Sequence, residues 1–502
     1  MRELRVVFIN PSVDKYSDMK LWGSKFVKNL LGKQNINLLP KLSAMVLAAV
    51  TTQEFEFIYV DEEVEDIEFD KLSPDLVAIT SMTVQANRAY EIADEFKRMG
   101  VTVVMGGIHP TVMPDEALQH CDSVLIGEGE NTWQAMLKDF KNKCLKKIYN
   151  SMEYPEVTEF PIPKYEILKH DRYLLNPIQA TRGCPYDCDF CSVKSSSGKK
   201  YKMKPVEQVI KEIEYAETFN KGLFKKGYFF VDDNLYVNRE YTKSLFKEMS
   251  KLKITWMGQG TVNIAKDKEI IELMAKSGCR NFSIGFESLS QDSLEEANKP
   301  KINDVQEYKN AIDIIQSYGI TAAGTFIFGF DQDGPKVFEK TVNFAKEANI
   351  YTPFFNILTP FPGTRFFDRL EAEGRIIDKD WSKYNALRSV IKPNKMSPEV
   401  LQEGAYWATS EVSTIEILEK QLKRFWEKGP WESNPKLSIM ERMILLGVGM
   451  KAWKRKDFRD FLFRCAISKN AVDANNILTG IFVSSAAEQI PPSRNPLEFL
   501  EK

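Results

Sequence analysis

The chain has 502 residues, 43 % of them hydrophobic and 27 % charged, with a formal net charge of −2. This is the balance of a globular chain of two or three domains, with no electrostatic basis for a nucleic-acid partner. No apolar run nears the ~20 residues that span a bilayer, the opening "MRELRVVFIN" is expected to be a strand rather than a leader peptide, and seven cysteines, four of them scattered (Cys121, Cys144, Cys279, Cys465), point to a reducing cytoplasm rather than a disulfide framework.

Residues 1–150 read as one α/β unit. Strands are expected at "LRVVFINPS", "FEFIYVDEE", "PDLVAITSMT", "VTVVMGGIHPT" and "DSVLIGEGE", with helices at 40–50, 86–99 and 131–140. The alternation predicts a doubly wound, Rossmann-like sheet whose ligand lies outside the strand C-termini. Those ends carry Ser81, Thr83, Gly106, Gly107, His109, Thr111, Gly127 and Glu128. Most are small or hydroxyl residues, which let a large ligand approach the backbone. No G-x-G-x-x-G follows the first strand, which disfavours a dinucleotide. The run "VAITSMTVQANRAYEIADEFKR…VVMGGIHPTVMPDEAL…SVLIGEGENTW" resembles the cobalamin-binding domain that precedes many radical S-adenosylmethionine (SAM) domains. The resemblance implies cobalamin at these strand ends, with one departure. The D-x-H-x-x-G histidine that ligates cobalt in mutases and methionine synthases has no counterpart in "DEEVED" (61–66). Cobalamin is then expected with its own base displaced and no histidine beneath the metal, and His109 packs or hydrogen-bonds near the nucleotide tail. The alternative is a module of this fold that has lost its ligand.

A proline-punctuated linker, "YPEVTEFPIPKYEIL" within 151–175, leads to "TRGCPYDCDFCSV". Cys184, Cys188 and Cys191 are spaced C-x3-C-x2-C, close enough to converge on a metal centre. An iron–sulfur cluster normally takes four cysteines, and three would leave one iron open to a small molecule. With no histidine within ten residues a zinc site is weaker, although one completed by a distant residue is the alternative. "RGCPYDCDFC" resembles the cluster loop of the radical SAM superfamily, with Phe190 as its aromatic residue. The resemblance implies a [4Fe-4S] cluster whose open iron chelates SAM and cleaves it to a 5′-deoxyadenosyl radical, with Phe190 near the adenine.

Beyond the loop, strands at 178–183, 228–233, 254–261, 282–288, 323–330 and 354–361 alternate with amphipathic helices such as "PVEQVIKEIEY". Six β/α units over 176–395 predict a partial barrel with its polar residues at the strand C-termini. Asp232, Asp233, Asn234, Gln259, Glu287 and Asp331 fall there. By resemblance, Asp232–Asn234 and Glu287 orient SAM, Gln259 lines the same face, and Gly324 in "GTFIFGF" lies against the adenine. A helical domain is expected over 396–502, starting at Ser397 and Pro398. Within it, 420–464 carries twelve Lys/Arg against five Asp/Glu, with Trp426, Trp431 and Trp453. This segment either caps the barrel mouth or touches an anionic membrane face, which would put the protein at the inner surface of the membrane.

Taken together, the resemblance implies a cobalamin-dependent radical SAM enzyme that methylates an unactivated carbon of a hydrophobic small molecule or lipid. One SAM would yield the radical and a second would remethylate cobalamin, with electrons from a flavodoxin- or ferredoxin-type reductant. Ring formation by the same machinery is the alternative, and a noncatalytic cobalamin or redox sensor is a third reading.

Overall fold

The computed structural model describes residues 3–13, 37–153, 160–197, 200–219, 227–299, 302–350 and 352–412. They fall into two compact units. The first holds the described residues up to 219 together with Thr359–Asn385, and the second holds 227–358 and the residues from Ala386 onward.

In the first unit, β1 (Leu4–Asn10), β2 (Phe55–Asp61), β3 (Leu76–Thr80), β4 (Thr102–Gly106), β5 (Ser123–Ile126) and β6 (Ile148–Asn150) form one sheet in the order β2-β1-β3-β4-β5-β6. Every pairing is parallel. Parallel strands need crossover helices and are buried on both faces, and Val6, Val7, Ile9, Leu76, Val77 and Val103 are accordingly buried. The main helices are α1 (Leu42–Val50), α2 (Ala86–Arg98) and α4 (Gly129–Lys141), with a short α3 (Ile108–Val112) after β4 and single turns at Phe69–Leu72 and Pro114–Ala117. Trp133 on α4 is buried and donates its indole N–H to Thr51 at 2.9 Å, tying α4 to the end of α1.

Three local expectations differ from what is observed. "VTVVMGGIHPT" stops being a strand at Gly106, because Gly107 turns the chain at φ +95° and α3 begins. β6 was not expected, since "IYN" is too short to carry a strand period. The chain leaves this sheet and continues through β7 (Asn176–Ile178) to β8 (Thr181–Arg182), which pairs antiparallel with β9 (Lys202–Met203). The single strand expected at 178–183 is thus two short ones, β8–β9 framing the cysteine loop and the helix α5 (Val193–Ser197). α6 (Val206–Phe219) follows and buries Val209, Ile213 and Ala216.

In the second unit, β10 (Gly227–Phe230), β11 (Thr255–Gly260), β12 (Cys279–Glu287), β13 (Thr321–Phe328) and β14 (Thr352–Ile357) neighbour one another in chain order, all parallel. Asn238, Asp267 and Ser290 accept backbone N–H groups as N-caps of the helices between them. The core is aromatic: Phe286 stacks on Phe326 with centroids 5.5 Å apart, and Phe328 stacks on Phe355 at 5.5 Å. The helix Pro398–Val412 packs on Lys336–Glu347, with Ser397 Oγ accepting from Val400 N–H at 3.3 Å. The rest of the expected helical domain, including 420–464, lies outside the described residues.

The loop after β13 contains a carboxylate with a testable consequence. Asp333 is buried and accepts backbone N–H groups from Gly329 and Phe330 at 3.0 and 3.1 Å. Burial pushes its pKa up to about 6 in spite of those donors. A carboxyl whose folded pKa exceeds its unfolded one holds its proton more tightly when folded. The protein therefore loses stability as pH rises from about 4 through 6. Relative to Asp333→Asn, the wild type should lose up to ~3 kcal/mol over that range, most of it by pH 6. Denaturation of both proteins at pH 5 and pH 7.5 checks this, and a pH-independent difference would contradict it.

Candidate functional site

The cysteine loop has little core of its own. Cys184, Cys188 and Cys191 are half-buried and form no disulfide. Charge holds the loop at both ends. At its root, Arg182 donates to Glu130 at 2.8 Å and stands 3.6 Å from Glu128, which also accepts from Lys202 at 2.7 Å. Arg182 and Lys202 are direct partners across β8–β9. Burial would raise the Glu130 pKa, but Arg182 outweighs it and holds the carboxyl below its ordinary value. At the tip, Arg365 reaches Asp189 Oδ1 through Nε at 3.0 Å. It reaches Asp187 Oδ2 through Nη1 at 2.9 Å and the Asp187 carbonyl through Nη2 at 2.6 Å. Arg365 and then Lys194, which also pairs with Asp187, bring that carboxyl down to about 2. Gly183 enters the loop at φ +85°, where a Cβ would collide with the Lys200 carbonyl oxygen.

The donor chemistry separates these cysteines from Cys121 and Cys279. Cys121 and Cys279 are buried, and burial raises both thiols, Cys121 to about 12. Thiolates are the ligands of metals, so these two are packing residues. In the loop, Cys191 N–H donates to the Cys188 carbonyl at 3.2 Å, closing a turn that keeps the last two thiols close in the chain. A cubane distributes its ligands over separate irons, and three half-exposed thiols on one loop fit it.

The strand ends of the first unit bring the other predicted residues together at the C-terminal edge of β3, β4 and β5. Ser81 is buried. Its N–H donates to the Gly106 carbonyl at 3.0 Å and its hydroxyl to the Met82 carbonyl at 2.9 Å. A Cβ on Gly107 would lie 2.8 Å from Ser81 O, so the two loops touch backbone to backbone. Gly127, at φ +81°, donates its N–H to Thr111 Oγ1 at 3.0 Å. Glu128 is committed to Arg182 and Lys202, as described. His109 is fully buried: Nε2 lies 3.0 Å from Tyr90 Oη and Nδ1 3.4 Å from the buried Thr83 Oγ1. With both ring nitrogens engaged by protein groups, it is placed as a packing residue. His109→Ala is accordingly expected to leave the cob(II)alamin EPR spectrum of the loaded protein unchanged while lowering its thermal midpoint. A changed cobalt signal would overturn that placement.

In the second unit, the predicted residues cluster at the C-terminal ends of β10 to β13. Asp232 and Asn234 are buried and Asp233 is half-buried. Gln259 donates its amide to the Asp232 carbonyl at 3.1 Å, and Leu235 N–H donates to the Gln259 carbonyl at 3.1 Å, locking "VDDN" onto β11. Glu287 is buried at a β-bulge with φ +62° and pairs with buried Lys299. A strained φ on a non-glycine residue persists only where its surroundings over-determine it. Asn303 supplies that constraint by donating to the Gly285 and Phe286 carbonyls at 2.8 and 3.1 Å. Asp331 is half-exposed and donates its N–H to Glu296, whereas Asp333 is the buried carboxylate of that loop. Gly324 is buried in mid-β13, where a Cβ would lie 3.0 Å from the Phe286 ring. Overpacking of this kind costs about 1–3 kcal/mol. Gly324→Ala should lower stability by that amount and leave SAM affinity within about twofold; a selective loss of SAM binding would instead give Gly324 a ligand role.

Sequence reasoning missed Arg365, Arg182, Lys202, Lys299 and Asn303. It also missed Asp61, which is buried at the end of β2 and accepts from Asn10 at 2.7 Å, Tyr59 at 3.0 Å and Tyr173 at 2.8 Å. The one available signal was the pair of aspartates interleaved with the cysteines, charges that need a partner.

Comparison with known proteins agrees with this arrangement. Residues 178–345 match the radical SAM superfamily and residues 37–137 the B12 binding domain. The bacteriochlorophyllide d C-12(1)-methyltransferase of Chlorobaculum tepidum is 34 % identical over 388 residues, covering 76 % of this chain and 84 % of the relative. The chain belongs to the cobalamin-dependent radical SAM enzymes. The anaerobic magnesium-protoporphyrin IX monomethyl ester cyclase of Rubrivivax gelatinosus is 25 % identical over 383 residues, covering 68 % of this chain and 67 % of the relative. The radical SAM methyltransferase TsrM of Kitasatospora setae, solved with cobalamin and a [4Fe-4S] cluster, shares the fold with a TM-score of 0.62 at 14 % identity, over 93 % of this chain and 99 % of that one. As a member of that family the protein is an enzyme whose cofactors are a [4Fe-4S] cluster, SAM and cobalamin. No helix among the described residues is long and apolar enough to cross a membrane.

Proposed function

We propose that Cys184, Cys188 and Cys191 hold the cluster, that Asp232–Asn234, Gln259 and Glu287 bind SAM, and that the ends of β3, β4 and β5 bind cobalamin. The reaction is methylation of a carbon atom on a hydrophobic small molecule. A tetrapyrrole ring substituent is the first substrate to test, because the relative that is 34 % identical acts on a bacteriochlorophyllide. When bound, the cluster supplies the electron that cleaves SAM and cobalamin supplies the methyl group. The chain's own part is to orient and to fix charge. Lys299 pairs with Glu287 and holds it in place, Gln259 holds the backbone of "VDDN", and Arg182 with Lys202 neutralises the two glutamates beside the cysteine loop. The observation that carries the reading is that the cysteine loop and the strand ends of the B12-matching region lie in one compact unit joined by that ion-pair cluster. An external one-electron reductant of flavodoxin or ferredoxin type completes the requirement. Membrane contact through 420–464 is a separate proposal, resting on sequence alone; liposome flotation without association would remove it.

The test is anaerobic turnover of the reconstituted protein with SAM carrying a deuterated methyl group. Both 5′-deoxyadenosine and S-adenosylhomocysteine are expected, with label in the product, and Cys188→Ala should lose at least a hundredfold of the 5′-deoxyadenosine while still binding cobalamin. 5′-Deoxyadenosine alone would favour ring formation, the reaction named for the cyclase relative.

A further inference from the structure

The segment Thr359–Asn385 returns to the first unit after the last strand of the second, and its contacts have a pattern that closing a sheet does not require. Its first part reaches the cysteine loop. Arg365 spans Asp187 and Asp189, Phe366 N–H donates to the Asp189 carbonyl at 3.1 Å, and Ser195 donates to the Gly363 carbonyl at 2.5 Å. Gly363, at φ +78°, sits where a Cβ would lie 2.8 Å from Val112 of α3 and 3.3 Å from Ser195 of α5. That turn is wedged between the helix that follows β4 and the helix that follows the cysteines. Its last part is anchored beside the strand ends. Trp381 donates its indole N–H to Glu116 at 2.8 Å and meets the His109 ring edge-on at 5.1 Å, and Asn87 donates to Asp380 at 2.7 Å.

We infer that Arg365 is the positioning residue of the cluster loop, carried on a segment, Gly363–Trp381, that is itself anchored on the B12-matching part of the chain. An ion pair half open to water contributes little to stability, so the fork's use lies in geometry. A guanidinium donating to two carboxylates and one carbonyl fixes both the separation and the orientation of Asp187 and Asp189. These residues flank Cys188, so the backbone that carries the middle thiol is held from both sides. A lysine in place of Arg365 keeps the charge but donates from a single point and cannot hold both aspartates in one plane.

This inference rests on the assignment of the cluster to Cys184, Cys188 and Cys191, and the experiment separates the two. Wild type, Arg365→Ala, Arg365→Lys and Cys188→Ala are reconstituted with iron, sulfide and cobalamin. Iron and cobalamin content, the EPR spectrum of the reduced cluster with and without SAM, and SAM affinity are then measured. Cys188→Ala should lose the cluster, and full iron with an intact signal in that variant would overturn the assignment and the inference with it. Arg365→Ala is expected to bind cobalamin like wild type, to lose the SAM-induced change in the EPR spectrum, and to bind SAM at least tenfold more weakly. Arg365→Lys should fail to restore the spectrum, whereas a merely charge-balancing arginine would be rescued by lysine. Wild-type spectra and SAM affinity in Arg365→Ala, or full rescue by lysine, would overturn the inference. Should Arg365→Ala fail to fold, Asp189→Ala removes one acceptor of the fork at the surface; an unchanged SAM-induced signal in that variant would have the same force.

Discussion

Three thiols must be held in fixed relation by a loop that buries almost nothing. Residues 183–192 lie outside any helix or strand and the cysteines are half-exposed, so hydrophobic packing cannot set their geometry. Electrostatics does so from both ends: Arg182 and Lys202 against Glu128 and Glu130 at the root, and Arg365 against Asp187 and Asp189 at the tip. The two ends are built differently. The root pairs are mostly buried, where removing one partner leaves an uncompensated charge and is costly. The tip pair is open to water and contributes orientation more than energy.

The same division appears in the second unit. Its parallel sheet presents all strand C-termini along one edge, which concentrates polar backbone and short side chains there without further design. What turns that edge into an oriented surface is a set of second contacts, from Lys299 and Asn303 to the Glu287 bulge and from Gln259 to "VDDN". Glu287 sits at a left-handed φ that an unconstrained glutamate would avoid. Gly285 makes this arrangement feasible, since a Cβ at that position would lie 2.5 Å from the Glu287 carboxylate and 2.9 Å from the Lys299 ammonium.

The first unit shows why a histidine in a strand-end loop is weak evidence for a metal ligand. His109 lies beside small residues where a large ligand is expected, yet its ring is sealed by Tyr90, Thr83 and Trp381. Glu116 joins the same cluster. Burial raises its carboxyl pKa, but hydrogen bonds from His109, Tyr90 and Trp381 outweigh it and hold the group low. The cluster is a structural plug under the loop after β4, and it anchors the returning segment.

Periodicity and spacing in the sequence determined the order of α/β elements, the parallel character of both sheets, the three-cysteine loop and the strand ends where polar residues gather. Each of these is a local property: apolar runs of strand length, helical repeats, thiols within eight residues. Tertiary structure alone decided the partners. Arg365 meets aspartates more than 170 residues earlier in the chain, Lys299 meets Glu287 around a bulge, and Trp381 meets Glu116 from a segment that reads as the end of a barrel. Gly324, which the family resemblance puts against the adenine, also lies where a Cβ would come within 3.0 Å of the Phe286 ring, a neighbour no local window shows. Charge complementarity and steric vacancy act between groups brought together by the whole chain path, and no window of the sequence contains both sides of such a pair.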